Sequence, residues 1–171
     1  MNQDKPLFVQ SDKTMLLDVH SPRAEEARVR LSQFAELVKS PEHMHTYQVS
    51  NISIWNAAAM GKGYKDIIST LEDLSRFEIP QSLLFFIKDN LDRFGAIKLT
   101  PYDNDYHLLT VKGSLFKAQI ISSKTLMAIL QPFSEDSFLV PWYKRGEIKI
   151  QLIKLGFPTD DLIPLKKGEK L

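Results

Sequence analysis

The hydrophobic period of this chain changes at Gly95, and that change limits the fold more than any other feature. Between Ser50 and Phe94, apolar residues recur at three- and four-residue spacing, the pattern of helices that bury one face. After Gly95 the period drops to two. Ile97 and Leu99 read as one strand, Tyr102-Asp103-Asn104-Asp105 as a turn, and Tyr106 to Val111 as the return strand. Helices and strands in separate blocks define an α+β protein.

Three helices are expected in the helical block. Ser50 caps the first, in which Ile52, Trp55 and Ala59 share a face, and Gly61 and Gly63 break it. The second runs over about residues 64–76, with Tyr64, Ile67, Leu71 and Leu74 on one side. Pro80 opens the third, which carries Leu84, Ile87, Leu91 and Phe94 before Gly95 stops it. Three short helices and a hairpin follow the order of a winged helix, with the hairpin as wing.

Upstream, Leu7 to Val9 and Met15 to Val19 read as a β-hairpin around Ser11-Asp12-Lys13. Ser21-Pro22 starts a helix striped by Ala24, Ala27, Leu31, Phe34 and Val38, which Ser40-Pro41 ends. Tyr47 and Val49 form a short strand. Downstream, residues 113–130 fit strand or helix, and Phe138-Leu139-Val140 is a short strand. An amphipathic helix over about residues 143–155 sets Ile148, Leu152 and Leu155 against basic Lys144, Arg145, Lys149 and Lys154. From Thr159 onward the text is polar and proline-broken, as in a linker or frayed tail. The expected divisions are a hairpin–helix–strand part (1–49), a winged-helix-like part (50–141) and a basic helix with linker (142–171).

Chemistry is sparse. With no cysteine, thiol nucleophiles, disulfides and zinc–thiolate sites are excluded. No apolar run approaches the roughly 18 residues that span a bilayer, so no membrane partner is expected. Gly61-Lys62-Gly63 lacks the spacing and hydroxyl of a phosphate-binding loop and reads as a turn. No Gly-x-Ser-x-Gly nucleophile motif occurs. His43 and His45 could offer two metal ligands, but a site needs a third, and structural histidines are the preferred reading. The net charge of +1 lacks the basic excess of a dedicated nucleic-acid binder. The third helix offers Lys88, Asp89, Asn90, Asp92 and Arg93, whose two acids face a polyanion badly. Only the C-terminal third has more basic than acidic residues, which leaves Lys144, Arg145, Lys149 and Lys154 as the candidate contact to DNA or a protein partner.

A resemblance extends this reading. Pro41-x-His43-x-His45-x-Tyr47, followed by Trp55 and Ala57-Ala58, resembles the N-terminal domain of XPB-type DNA repair helicases. So do Lys5 to Asp12, Leu16 to Val19, Phe34 to Leu37, Leu74-Ser75-Arg76-Phe77 with Ile79-Pro80, and Arg93 to Leu99. Leu155 to Leu162 is similar to the segment before the motor in bacterial members; residues 100–137 match least. The resemblance implies superfamily 2 parents that unwind DNA 3′→5′ with ATP and magnesium held in their motor domains. In eukaryotes these belong to TFIIH, where this region docks a partner subunit.

No Walker A or Asp-Glu-x-His text occurs in these 171 residues, so the chain itself is expected to be non-catalytic and to hold no cofactor or metal. The expected role is accessory: docking to the helicase core of the same parent, to a repair protein, or to DNA. Pro41, His43, His45, Tyr47 and Trp55 are expected to be structural. The absence of an acidic insert points to a bacterial form, hence a cytoplasmic, nucleoid-associated protein; a eukaryotic one would be nuclear. The alternatives are a standalone winged-helix DNA-binding regulator, and an enzyme with a metal site at His43 and His45.

Overall fold

A computed structural model describes residues 4–164. The chain is α+β and divides at Leu91/Asp92 into two compact units, each with its own core.

In the first unit, β1 (Leu7–Val9) and β2 (Thr14–Asp18) form the expected hairpin, with Leu7 opposite Leu17. Its turn carries Lys13 in the left-handed region (φ 71°). Helix α1 (Ala24–Leu31) buries Ala24, Ala27 and Leu31. It stops earlier than its apolar stripe suggested, and Glu36–Lys39 is a strand, β3, paired with β4 (Met44–Gln48). Pairing across a four-stranded sheet, ordered β1-β2-β4-β3, overrides a local helical period there. Helix α2 (Asn51–Ala59) starts on a reciprocal cap: Ser50 Oγ accepts the Ser53 N–H, and Ser53 Oγ accepts the Ser50 N–H. It buries Ser53, Ile54, Trp55 and Ala57 and leaves Ile52 out, so its inner face is rotated from the expected one. Helix α3 (Tyr64–Leu74) buries the predicted Ile67, Leu71 and Leu74. Helix α4 (Gln81–Arg93) buries Leu83, Ile87 and Asn90. The core gathers Leu7, Met15, Leu17, Leu31, Tyr47, Ile54, Leu71 and Ile87.

In the second unit, β5 (Ile97–Pro101) and β6 (Tyr106–Val111) form the predicted hairpin, with Leu99 opposite Leu109. Its edges are not free as a wing's would be. β8 (Ser137–Pro141) pairs with β6, β7 (Gln131–Ser134) with β8, and β9 (Thr159–Asp161) lies parallel to β5. The hairpin is thus the centre of a five-stranded sheet, β7-β8-β6-β5-β9. The ambiguous stretch resolves into α5 (Ser114–Ile121) and α6 (Lys124–Met127). After a 3₁₀ turn (Trp142–Lys144), α7 (Arg145–Leu155) ends on Gly156, which is left-handed at φ 98°. The core is built from Leu99, Leu109, Ile120, Phe138, Val140, Ile148, Leu152 and Phe157. Of the expected polar tail, Thr159 to Asp161 is a paired strand; its last residues lie outside those described.

Candidate functional site

Helix α7 and strand β9 bring the basic residues to one place. Arg145 Nε donates to Asp161 Oδ2 at 2.8 Å, and Lys149 Nζ donates to the same oxygen at 2.8 Å. Arg145 Nη2 also donates to the Ile163 carbonyl at 3.2 Å, while Asp161 Oδ1 accepts the Ile163 N–H at 3.1 Å. Burial alone would raise the Asp161 pKa. The hydrogen bonds from Arg145 and Lys149 outweigh it and hold the carboxyl at about 2. Two of the four candidate cations are therefore spent on a carboxylate that ties β9 to α7. Lys144 Nζ donates to Glu147 Oε2 at 2.8 Å, which raises the lysine pKa. Lys154 stands exposed in the last turn of α7, where a cation complements the helix dipole.

Nor is α7 divided into one apolar and one basic face. Ile148 and Leu152 are buried, but Ile150 and Ile153 are about half exposed on another side. Trp142 and Tyr143, exposed just before the helix, meet edge to face with ring centroids 5.8 Å apart.

The histidine signature separates in three dimensions. His43 Nδ1 lies 2.7 Å from His20 Nε2, so one ring donates and the other accepts. Their centroids are 5.0 Å apart. The Glu42 carboxylate lies 3.8 Å from His43 Nε2. His45, paired opposite Leu17 on β4, is not part of this contact, and its Nδ1 is buried without a hydrogen-bond partner. Among the described residues, no group of three or more His, Asp or Glu could hold a metal ion. Tyr47 is buried on β4 opposite Met15, and burial raises its pKa. Trp55 is buried on α2, while Pro41 is exposed just before β4.

The third expected helix is committed inward at two of its polar positions. Asn90 Nδ2 donates to the Phe86 carbonyl at 3.0 Å. The Arg93 guanidinium lies 4.5 Å from the Phe157 ring and 5.2 Å from Phe116, and donates to Gln119 Oε1 at 3.1 Å. At Gly61-Lys62-Gly63, the Gly63 N–H donates to Asp66 Oδ2 at 2.8 Å. A carboxylate from the chain itself thus occupies the start of α3 that a phosphate would need. Sequence reasoning missed Asp161 and His20 as partners. Neither carries a local signal, because each meets its partner only through sheet pairing or chain return.

Residues 7–131 match the family described as "Helicase conserved C-terminal domain". The chain is similar to the "DNA 3'-5' helicase XPB" of Kineococcus radiotolerans, at 36% identity over 97% of this chain and 30% of that protein. The protein of the same description from Mycobacterium tuberculosis is 38% identical, again over 97% of this chain and 30% of the relative. A "General transcription and DNA repair factor IIH helicase/translocase subunit" of Saccharomyces cerevisiae is 32% identical over 78% of this chain and 15% of that protein. The chain thus spans about 30% of the length of the bacterial relatives. No helix among the described residues is long and apolar enough to cross a membrane.

Proposed function

The chain belongs to the XPB-type helicase family, and we propose that it acts there as a non-catalytic N-terminal accessory domain of an ATP-dependent 3′→5′ DNA repair helicase. The observation that carries this reading is the unequal coverage: 97% of this chain is matched, yet only 30% of each bacterial relative. The 171 residues correspond to one module of a longer machine. ATP and magnesium belong to the parent's motor, and the occupied turn at Gly63 supports their absence from this module. Its work is docking, to the parent's helicase core or to a repair protein, with DNA backbone as a further ligand. The parent acts in the cytoplasm on the nucleoid, as a bacterial form would. In this reading the segments 1–49, 50–141 and 142–171 act as a docking base, a winged-helix-like part and a connector toward the motor.

The relative from Mycobacterium tuberculosis provides the test. Deleting the region matched by this chain is expected to leave DNA-stimulated ATP hydrolysis in place and to reduce ATP-driven strand separation. The isolated 171-residue chain is expected to hydrolyse no ATP. ATP turnover by the isolated chain would overturn the reading. A second reading, a winged-helix DNA-binding regulator, rests on the helix–hairpin order of residues 51–111. It predicts tight duplex binding by the isolated chain that weakens steeply with salt.

A further inference from the structure

Helix α7 carries an outward stripe that its own unit does not use. Ile150 is 58% exposed and Ile153 48%, and Gly146 lies one turn before Ile150. Helical spacing sets Gly146, Ile150 and Ile153 on one line, with Glu147 and Lys154 beside it. Gly146 is the unexplained member. Glycine weakens a helix relative to alanine. Here the backbone is not left-handed, and an added Cβ would meet no atom within 4 Å. Its use suits the close approach of another backbone on the outer side. On the inner side, Arg145 and Lys149 are turned to Asp161, which keeps their charge off the stripe.

The stripe is complementary to itself. Laid antiparallel about a two-fold axis beside Ile150, two copies place Ile150 against Ile150, Ile153 over Gly146, and Glu147 opposite Lys154. Glu147 and Lys154 lie seven residues apart on one flank of the stripe, so they meet each other across a two-fold only when the helices run antiparallel. We propose that this face of α7 binds a second copy of this chain as an isologous, antiparallel helix pair, with Ile153 seated on the partner copy's glycine and Glu147 paired with its lysine. The existing Glu147–Lys144 contact is a surface ion pair, with side chains 48% and 37% exposed, and is readily exchanged. Two eleven-residue helices bury less than the roughly 1,600 Å² of a standard interface, so the dimer is weak and concentration-dependent. The inference stands on α7 alone and does not depend on the helicase reading.

Sedimentation velocity of the 171-residue protein, from about 10 μM to about 1 mM, tests it. The mass is expected to climb from 19.6 kDa toward twice that value. Ile153→Asp is expected to weaken association at least tenfold. Gly146→Leu should do the same while leaving the melting temperature equal or higher, which separates lost docking from lost folding. Glu147→Lys and Lys154→Glu should each weaken the dimer several-fold, and the double reversal should restore it. Because both charged side chains are exposed, this pair carries the test even where Ile153→Asp fails to fold. A mass of 19.6 kDa at every concentration would overturn the proposal and leave the face to the rest of the parent chain. So would assembly beyond a dimer, or a double reversal no tighter than the single ones.

Discussion

Asp161 concentrates the charge balance of the second unit in one side chain. It is 12% exposed and accepts from both Arg145 and Lys149. Its pKa is held at about 2, below the ordinary 3.8, so the folded state prefers the ionised form. The stability this contributes is fully present above about pH 4 and is lost as pH falls toward 2. The shift corresponds to about 2 kcal/mol. Urea denaturation at pH 7 and pH 2.5 should show that loss, and Asp161→Asn should remove most of this pH dependence while lowering stability at neutral pH. Asp73, also held at about 2 by Arg23 and Arg30, is 45% exposed and contributes less because solvent screens it. Gly156 is a second informative residue. It is left-handed, and an added Cβ would sit 3.1 Å from Arg93 Nη1, a group engaged with two aromatic rings. Gly156→Ala should cost about 1–2 kcal/mol from backbone strain alone, measured by chemical denaturation.

Among the elements, α2 depends most visibly on its cap. Ser50 and Ser53 satisfy one another's amides, and the helix has neither an acidic residue in its first turn nor a basic one in its last. The cap therefore carries its N-terminus without help from charge. Ser50→Ala should lower unfolding free energy by about 1 kcal/mol, and Ser50→Asp should recover most of it. Strand β3 illustrates a different control. Its four residues are all exposed, and its register with β4 shifts between Leu37 and Lys39. A bulge and a lysine on a sheet edge blunt unwanted pairing with other chains. Local period favoured a helix there, because Phe34 and Val38 continue the α1 stripe. The partner that decided for strand, Tyr47, arrives only after the chain reverses at Pro41.

On the scale of the whole molecule, two separate cores make two separable responses. Phe138 is among the largest fully buried side chains of the second core, and Leu17 is fully buried in the first. Phe138→Ala should destabilise by about 3–5 kcal/mol and Leu17→Ala by about 2–5 kcal/mol. Hydrogen exchange should show the first change accelerating β5, β6 and β8 most, and the second accelerating β1, β2 and β4 most. Uniform acceleration across all strands after either change would mean that the cores unfold as one.

The α+β class, the β1–β2 hairpin, helices α2 to α4, the 97–111 hairpin and the stop at Gly95 are all legible in the order of the residues. These are local matters of period, caps and turns, which neighbouring residues decide between them. The order of short signature motifs along most of the chain, from Lys5 to Leu162 with Pro41 to Ala58 at their centre, pointed to the family. The rest depends on contacts between residues far apart along the chain, which folding alone brings together. Folding set β8 and β9 beside the hairpin, since strand partners are chosen by whichever edges the fold brings together. It rotated α2, because the face that is buried is the one that meets the core, here Ile54 and Ala57, and the helix's own spacing does not say where that core lies. It moved His20, and not His45, next to His43. It also turned two of the four cations of that strip, Arg145 and Lys149, into a clamp on Asp161, because a carboxylate sixteen residues beyond Arg145 becomes its neighbour only when β9 returns alongside β5.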